Sequence, residues 1–264
     1  MTFRDLHMPG NPFILANAWD IGSAKMLAAL GAQAIGTSSA AHAFSLGRPD
    51  MGHVSRDEAL THAQSLVEAV NLPVSGDFEN GFGEAPETCA DTVRLSAEAG
   101  LCGISIEDTA LPEATPYERS LAVERIRAAV SAARTLPKDF VLVARADGVM
   151  NGQYGLEEAI ARIQAYEAAG ADCVYIPLPP EFDDLKTICS AVSIPVNALV
   201  AGKFTAHKCA EFAAAGVARL SLGSALARAT HRVIHDAARA MFAKGEFHAL
   251  GAGISGDLVD QLLI

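Results

Sequence analysis

Four times along this chain a helical stretch ends in the same phrase, a glycine followed at once by an apolar run: Leu30-Gly-Ala, Ala99-Gly-Leu, Ala169-Gly-Ala-Asp and Ala215-Gly-Val. Glycine just past a helix accepts the left-handed conformation that stops it, so the phrase marks a repeated helix-to-strand junction. Short apolar runs begin near Phe13, Gln33, Pro73, Cys102, Phe140, Asp172, Ile194 and Ala218, each bounded by glycine, proline or polar residues. Helical patterns over 23–30, 57–70, 86–99, 122–133, 156–169, 182–191 and 206–215 fill the gaps. Eight strand-helix units in series predict an α/β fold, a (β/α)8 TIM-type barrel, with its working residues at the C-terminal ends of the strands. A doubly wound open sheet is the alternative, but it more often opens with a glycine-rich phosphate loop. Here Asn17-Ala-Trp-Asp20 follows the first strand.

The chain has 264 residues, half of them hydrophobic, which suits one barrel. No linker, low-complexity segment or charge block divides it. We therefore read residues 1–264 as one domain, with 225–264 as C-terminal helices beyond the eighth strand. A net charge of −11 argues against nucleic acid or an anionic membrane as partner, since both require a positive footprint. Five cysteines without C-x-x-C spacing indicate neither a disulfide framework nor structural zinc, and fit a reducing cytoplasm. Neither an apolar signal core nor a membrane-length apolar run is present, so a soluble, cytoplasmic protein is expected.

Chemistry concentrates where the apolar runs stop. The third run, Val74-Ser-Gly-Asp-Phe-Glu-Asn-Gly-Phe-Gly83, delivers Asp77 and Glu79 into a glycine-punctuated turn. If both lie on the strand they face one side, and two converging carboxylates invite a hard cation such as Mg2+. A solvated acidic turn is the plain alternative. The second run ends in Thr37, Ser38 and Ser39, small hydroxyls suited to a carboxylate or to an ordinary polar turn. The fourth ends in Glu107-Asp108, the fifth in Ala144-Arg145-Ala-Asp147, and Leu46-Gly-Arg-Pro-Asp50 lies in the long connection after the second. An acidic cluster and a guanidinium converging on one mouth point to a site.

Taken together, these segments resemble the isocitrate lyase/phosphoenolpyruvate mutase superfamily over nearly the whole chain. The resemblance is carried by Asn17–Asp20, Leu46–Asp50, Asp77–Gly83, Gly103–Asp108, Ala144–Asp147, Ala168–Asp172 and Arg219-Leu-Ser-Leu-Gly223. It implies a Mg2+-dependent enzyme, with Mn2+ as a possible substitute, that makes or breaks C–C or C–P bonds in small 2-oxo or 2-hydroxy carboxylic acids. It further implies Asp77 as direct metal ligand, with Asp50, Glu79 and Glu107 holding the metal's waters. Thr37, Ser38 and Ser39 fall at the substrate-carboxylate site, and Arg145 where an arginine meets the substrate. Arg145, Glu107 and Asp50 are the catalytic candidates. A homo-oligomer, dimer or tetramer, with a C-terminal helix exchanged between subunits is also implied.

The departures matter as much. The isocitrate and methylisocitrate lyases of this superfamily carry a lid motif with an acid cysteine after the fourth strand, whereas residues 109–120 here contain neither cysteine nor histidine. Pro177 stands where phosphonate-processing members have a histidine, and Gly36 replaces an aromatic residue, which is expected to enlarge the pocket there. The segment 109–120 is expected to form a mobile lid. Three tempting features read as structural: His231 and His235 lack a third zinc ligand, Cys209 beside His207 lacks an orienting partner, and Lys203 sits where it is solvated. An oxaloacetate decarboxylase-like lyase is the preferred reading. A C–P mutase or hydrolase acting on phosphonopyruvate or phosphoenolpyruvate, and a non-catalytic 2-oxo acid binding protein, are the alternatives.

Overall fold

The computed structural model describes residues 2–264. Its strands run β1 (Phe13–Asn17), β2 (Ala34–Gly36), β3 (Val74–Asp77) and β4 (Gly103–Glu107), then a small pair β5 (Thr109–Ala110) and β6 (Thr115–Pro116), then β7 (Val141–Arg145), β8 (Cys173–Tyr175), β9 (Val196–Leu199) and β10 (Arg219–Ser221). Helices α1 (Ile21–Ala29), α2 (Ser39–Ser45), α3 (Arg56–Ala69), α4 (Pro86–Glu98), α5 (Arg119–Arg134), α6 (Leu156–Ala168), α7 (Asp184–Ser190), α8 (Cys209–Ala214), α9 (Ala225–Lys244) and α10 (Gly256–Leu263) complete the chain. Eight parallel strands close into a barrel in sequence order, with β1 sealing against β10, and β5 pairs antiparallel with β6 outside it. Every expected strand is present, and the expected helices end within about three residues of the observed ones. Gly31, Gly100, Gly170 and Gly216 all have φ between 90° and 99°, as the helix-stopping reading requires.

Alternation along each strand sorts the side chains. On β7, Leu142 and Ala144 join the layer between strands and helices, while Val141 and Val143 point into the barrel with Phe13, Leu15, Ala34, Cys173 and Tyr175. The same alternation carries Arg145, the next inward residue, to the mouth. At the opposite end the N-terminal turn plugs the barrel: the rings of Phe3, His7 and Phe13 meet edge to face with centroids 4.9 to 6.0 Å apart. Asn17 closes the mouth end of the seam. Its Nδ2 donates to the Thr37 carbonyl at 2.6 Å, and its Oδ1 accepts from the amides of Leu222 and Gly223 at 2.7 and 3.0 Å.

Three expectations need correction. Helix α2 lies in what the sequence presents as a long connection after the second strand; the Ser38 side chain caps it by accepting from the Ala41 amide at 3.3 Å, and its seven residues are too few to show a helical period. Glu79 is not on the strand, which ends at Asp77. It occupies the following loop at φ 45°, a strained position for a residue with a side chain. Gly36 does not enlarge the pocket, because a Cβ there would lie 2.9 Å from both Asn17 Nδ2 and a Leu15 methyl, which fill the space.

Beyond the barrel, α9 presents only Ala227 and Ala237 as buried residues, leaving Val233, Ile234 and Phe242 at 67, 64 and 86% exposure. Helix α10 lies along α1, where Lys25 Nζ donates to the Leu263 carbonyl at 2.9 Å. Among the described residues no helix is long and apolar enough to cross a membrane.

Candidate active site

The strand ends bring Asp77, Glu107 and Arg145 together. Arg145 lies opposite Glu107 in the β4–β7 ladder, and its guanidinium bridges Asp77 at 2.7 Å, Glu107 at 3.1 Å and Asp147 at 2.5 Å. The ring of Tyr175 supports it from the side, 5.3 Å away. Asp77 also accepts from the Ser39 amide and hydroxyl at 3.0 and 2.9 Å, and its own amide donates to Thr37 Oγ1 at 2.8 Å. The Thr37–Ser39 segment therefore holds Asp77 in place. Thr37 Oγ1 accepts from the Asp77 amide and Ser38 Oγ from the Ala41 amide, which leaves both hydroxyl hydrogens for another partner.

Glu79 is buried and tied at both ends: its Oε1 accepts from the Gly52 amide at 3.0 Å and its carbonyl from the Glu107 amide at 2.9 Å. Gly52 belongs to the connection that carries Asp50, so one contact fixes the two acidic segments against each other. Burial, reinforced by Asp77 and Asp50, pushes the Glu79 carboxyl up to about 7. The carboxyls of Asp50, Glu107 and Asp147 are raised as well, burial being the main cause in each. Five carboxylates thus crowd around one paired arginine, and the mouth is short of positive charge. Among the described residues no three acidic, histidine or cysteine side chains form a ready metal cage. The crowding of carboxylates with one paired arginine is what fits a hard divalent cation that keeps several waters and touches one or two carboxylates directly.

A cavity of about 160 Å³ runs down from this mouth, lined by Ser38, Asp50, Asp77, Arg145, Tyr175 and Arg219 among others. No cysteine, histidine or lysine lines it, and nothing from the β5–β6 hairpin reaches it. The hairpin is pinned at its base, with Thr109 and Tyr117 buried and only 112–116 exposed. His231, His235 and Cys209 are exposed, and Lys203 pairs at the surface with Glu181 at 3.2 Å, as expected.

Sequence reasoning placed Asp50, Asp77, Glu79, Glu107 and Arg145 together, and the structure does bring them to one mouth. It named Asp147 at the end of the fifth run but gave it no role, although the two-residue spacing from Arg145 was visible. It likewise gave no role to Asp108, the buried acceptor behind Asp147: Asp108 takes the Asp147 amide at 2.8 Å, Tyr154 Oη at 2.6 Å, Tyr166 Oη at 3.2 Å and Arg162 Nη1 at 2.9 Å.

Comparison with known proteins agrees with this geometry. The sequence profile of the phosphoenolpyruvate phosphomutase family matches residues 3–242. The chain is 33% identical to 2-methylisocitrate lyase of Escherichia coli over 211 residues, covering 73% of this chain and 70% of that one. It is 30% identical to oxaloacetate decarboxylase of Pseudomonas savastanoi pv. phaseolicola over 245 residues, covering 90% of this chain and 83% of that one. A solved protein of Burkholderia cenocepacia J2315, described as of lyase/mutase type, superposes with a TM-score of 0.94 at 44% identity, over 98% of this chain and 93% of that one. An acidic mouth on a closed eight-stranded barrel and a profile match along nearly its whole length lead to one assignment: this chain belongs to the isocitrate lyase/phosphoenolpyruvate mutase superfamily of lyases and mutases.

Proposed function

We propose that the protein is a Mg2+-dependent carbon–carbon lyase that decarboxylates a small 2-oxo acid of the oxaloacetate type. The observation that carries this reading is a charge-rich cavity with no cysteine, histidine or lysine on its walls. Retro-aldol cleavage requires a base at the hydroxyl and an acid at the departing carbon. Loss of CO2 from a 2-oxo acid requires neither in the bond-breaking step: the C–C electron pair passes into an enolate, and water can later protonate the carbon.

Asp77 would hold the metal directly, with Asp50, Glu79 and Glu107 binding its waters, and Mn2+ would serve in its place. When bound, Mg2+ supplies Lewis-acid stabilisation of negative charge growing on the 2-oxo oxygen. Arg145 adds a fixed positive charge beside that oxygen in a poorly solvated setting. The hydroxyl hydrogens of Thr37 and Ser38, with the Ser39 segment, orient the substrate carboxylate. A coupled assay of pyruvate release from oxaloacetate with and without Mg2+ tests the reading; no release under either condition removes it.

The raised carboxyls give a pH signature. Between about 4.5 and about 7 the folded protein keeps the Glu79 proton that the unfolded chain has lost. Metal-free stability should therefore fall as pH rises through that window, by up to roughly 3 kcal/mol, and level off above it. Mg2+ competes with the same proton, so its affinity should climb up to about pH 7, with proton release on binding. Calorimetry in buffers of different ionisation enthalpy checks this; metal binding without proton release at pH 6 contradicts it.

We also propose that a second copy of the chain packs around α9, since Val233, Ile234 and Phe242 leave three large apolar side chains well exposed on one helix. Sedimentation should give a multiple of 27.5 kDa, and Phe242→Glu should shift it toward one copy. A wild-type monomer at micromolar concentration would exclude the assembly.

A further inference from the structure

Four arginines lie inside the described protein, and three have their guanidinium donors partnered. Arg145 faces three carboxylates, Arg162 pairs with Asp108 and Glu158, and Arg125 donates to the carbonyls of Asn80, Gly83 and Glu84. Arg219 is different. It is 4% exposed, makes no ion pair among the described residues, and leaves Nε and Nη1 without hydrogen-bond partners. A guanidinium cannot escape this cost by losing its proton.

Its surroundings offer no carboxylate within ion-pair reach among the described residues, and the carbonyl oxygen of the Asn197 side chain, opposite it on β9, is itself without a partner. Below, the ring cluster of Phe3, His7 and Phe13 seals the barrel, and burial together with the charge of Arg219 pushes His7 down to about 3, so that imidazole is neutral. Beside it, burial keeps Cys173 and Tyr175 protonated. Above lies the cavity whose rim carries Ser38, Asp77 and Arg145; Ser75, whose hydroxyl is also unpartnered, lines the same space.

We propose that the floor of this cavity is a subsite for a planar carboxylate-type anion, anchored by the fork of Arg219 with the Ser75 hydroxyl as a further donor. Carboxylates and bicarbonate match a guanidinium through two parallel hydrogen bonds. Resting on the lyase reading above, the occupant is either the second carboxylate of a dicarboxylic 2-oxo acid or a separate small anion such as bicarbonate. An anchor on a departing carboxylate stabilises substrate more than transition state, so Arg219 serves recognition of dicarboxylates and not rate.

Titration calorimetry on the wild-type protein and Arg219→Met, both with Mg2+, tests this with three probes: pyruvate, malonate, and bicarbonate added to pyruvate-saturated protein. If the substrate's second carboxylate is the occupant, Arg219→Met weakens malonate by about tenfold or more and pyruvate by less than about twofold. Bicarbonate binding to the pyruvate complex that disappears in the variant identifies a separate anion instead. Unchanged affinity for all three probes overturns the subsite and leaves a merely hydrated guanidinium. Removing an unpaired buried charge should not lower the melting temperature; should the variant fail to fold, Arg219→Lys, which keeps the charge and loses the fork, carries the same comparison. Anion binding that depends on Arg219 in a protein without oxaloacetate turnover upholds the subsite and removes the reaction, and turnover with binding indifferent to Arg219 does the reverse.

Discussion

Asp77→Ala should abolish Mg2+-dependent activity, lowering kcat by roughly a thousandfold or more, while the protein remains folded. The size follows from what is lost: the carboxylate proposed to touch the metal, and with it several kcal/mol of charge stabilisation at the reacting oxygen. The fold survives because Asp77 contributes little to the core. Arg145 keeps Glu107 and Asp147 as partners, and removing one of five crowded carboxylates relieves repulsion. Losing the Arg145 and Ser39 contacts of Asp77 should cost about 1 to 3 kcal/mol in thermal melting, which leaves the protein folded. Calorimetric Mg2+ affinity unchanged in a folded Asp77→Ala protein would remove the metal assignment.

Arg145→Lys should lower kcat by about a hundredfold with a smaller effect on KM. Arg145 uses Nε, Nη1 and Nη2 to hold three carboxylates at once. An ammonium on a flexible stem keeps the charge but cannot span that fork. The positive charge then sits away from where the negative charge grows, and an interaction realised mainly in the transition state is lost. If the substitution raises KM and leaves kcat alone, Arg145 contributes uniform binding and the catalytic role is wrong.

The sequence is most legible where local chemistry and tertiary structure agree. The glycines after α1, α4, α6 and α8 announce themselves, because left-handed φ is a local requirement that glycine meets most easily. Asp77, Glu107 and Arg145 were readable as inward residues at strand ends, because a period of two needs no knowledge of the partner strand. Glu79 reached its place by another route, a loop at positive φ held by Gly52, which no periodicity encodes. Asp147 and Arg219 were hidden for a different reason. Each looks like an ordinary charged residue at one end of an apolar run, and only closure of the barrel shows that the first completes the cage of Arg145 and the second has no counter-ion.

The Asn17 seam bears on how the chain is made. Its Oδ1 meets the Leu222 amide across 205 residues of sequence, and β1 takes β10 as a neighbour. At ribosomal speeds of about 5 to 20 residues per second, β1 therefore waits roughly 10 to 40 s after its own synthesis before that partner exists. During this interval one edge of the nascent sheet is open to pairing with other chains. The protein's yield in a cell should accordingly depend on chaperone supply more than its finished stability would suggest.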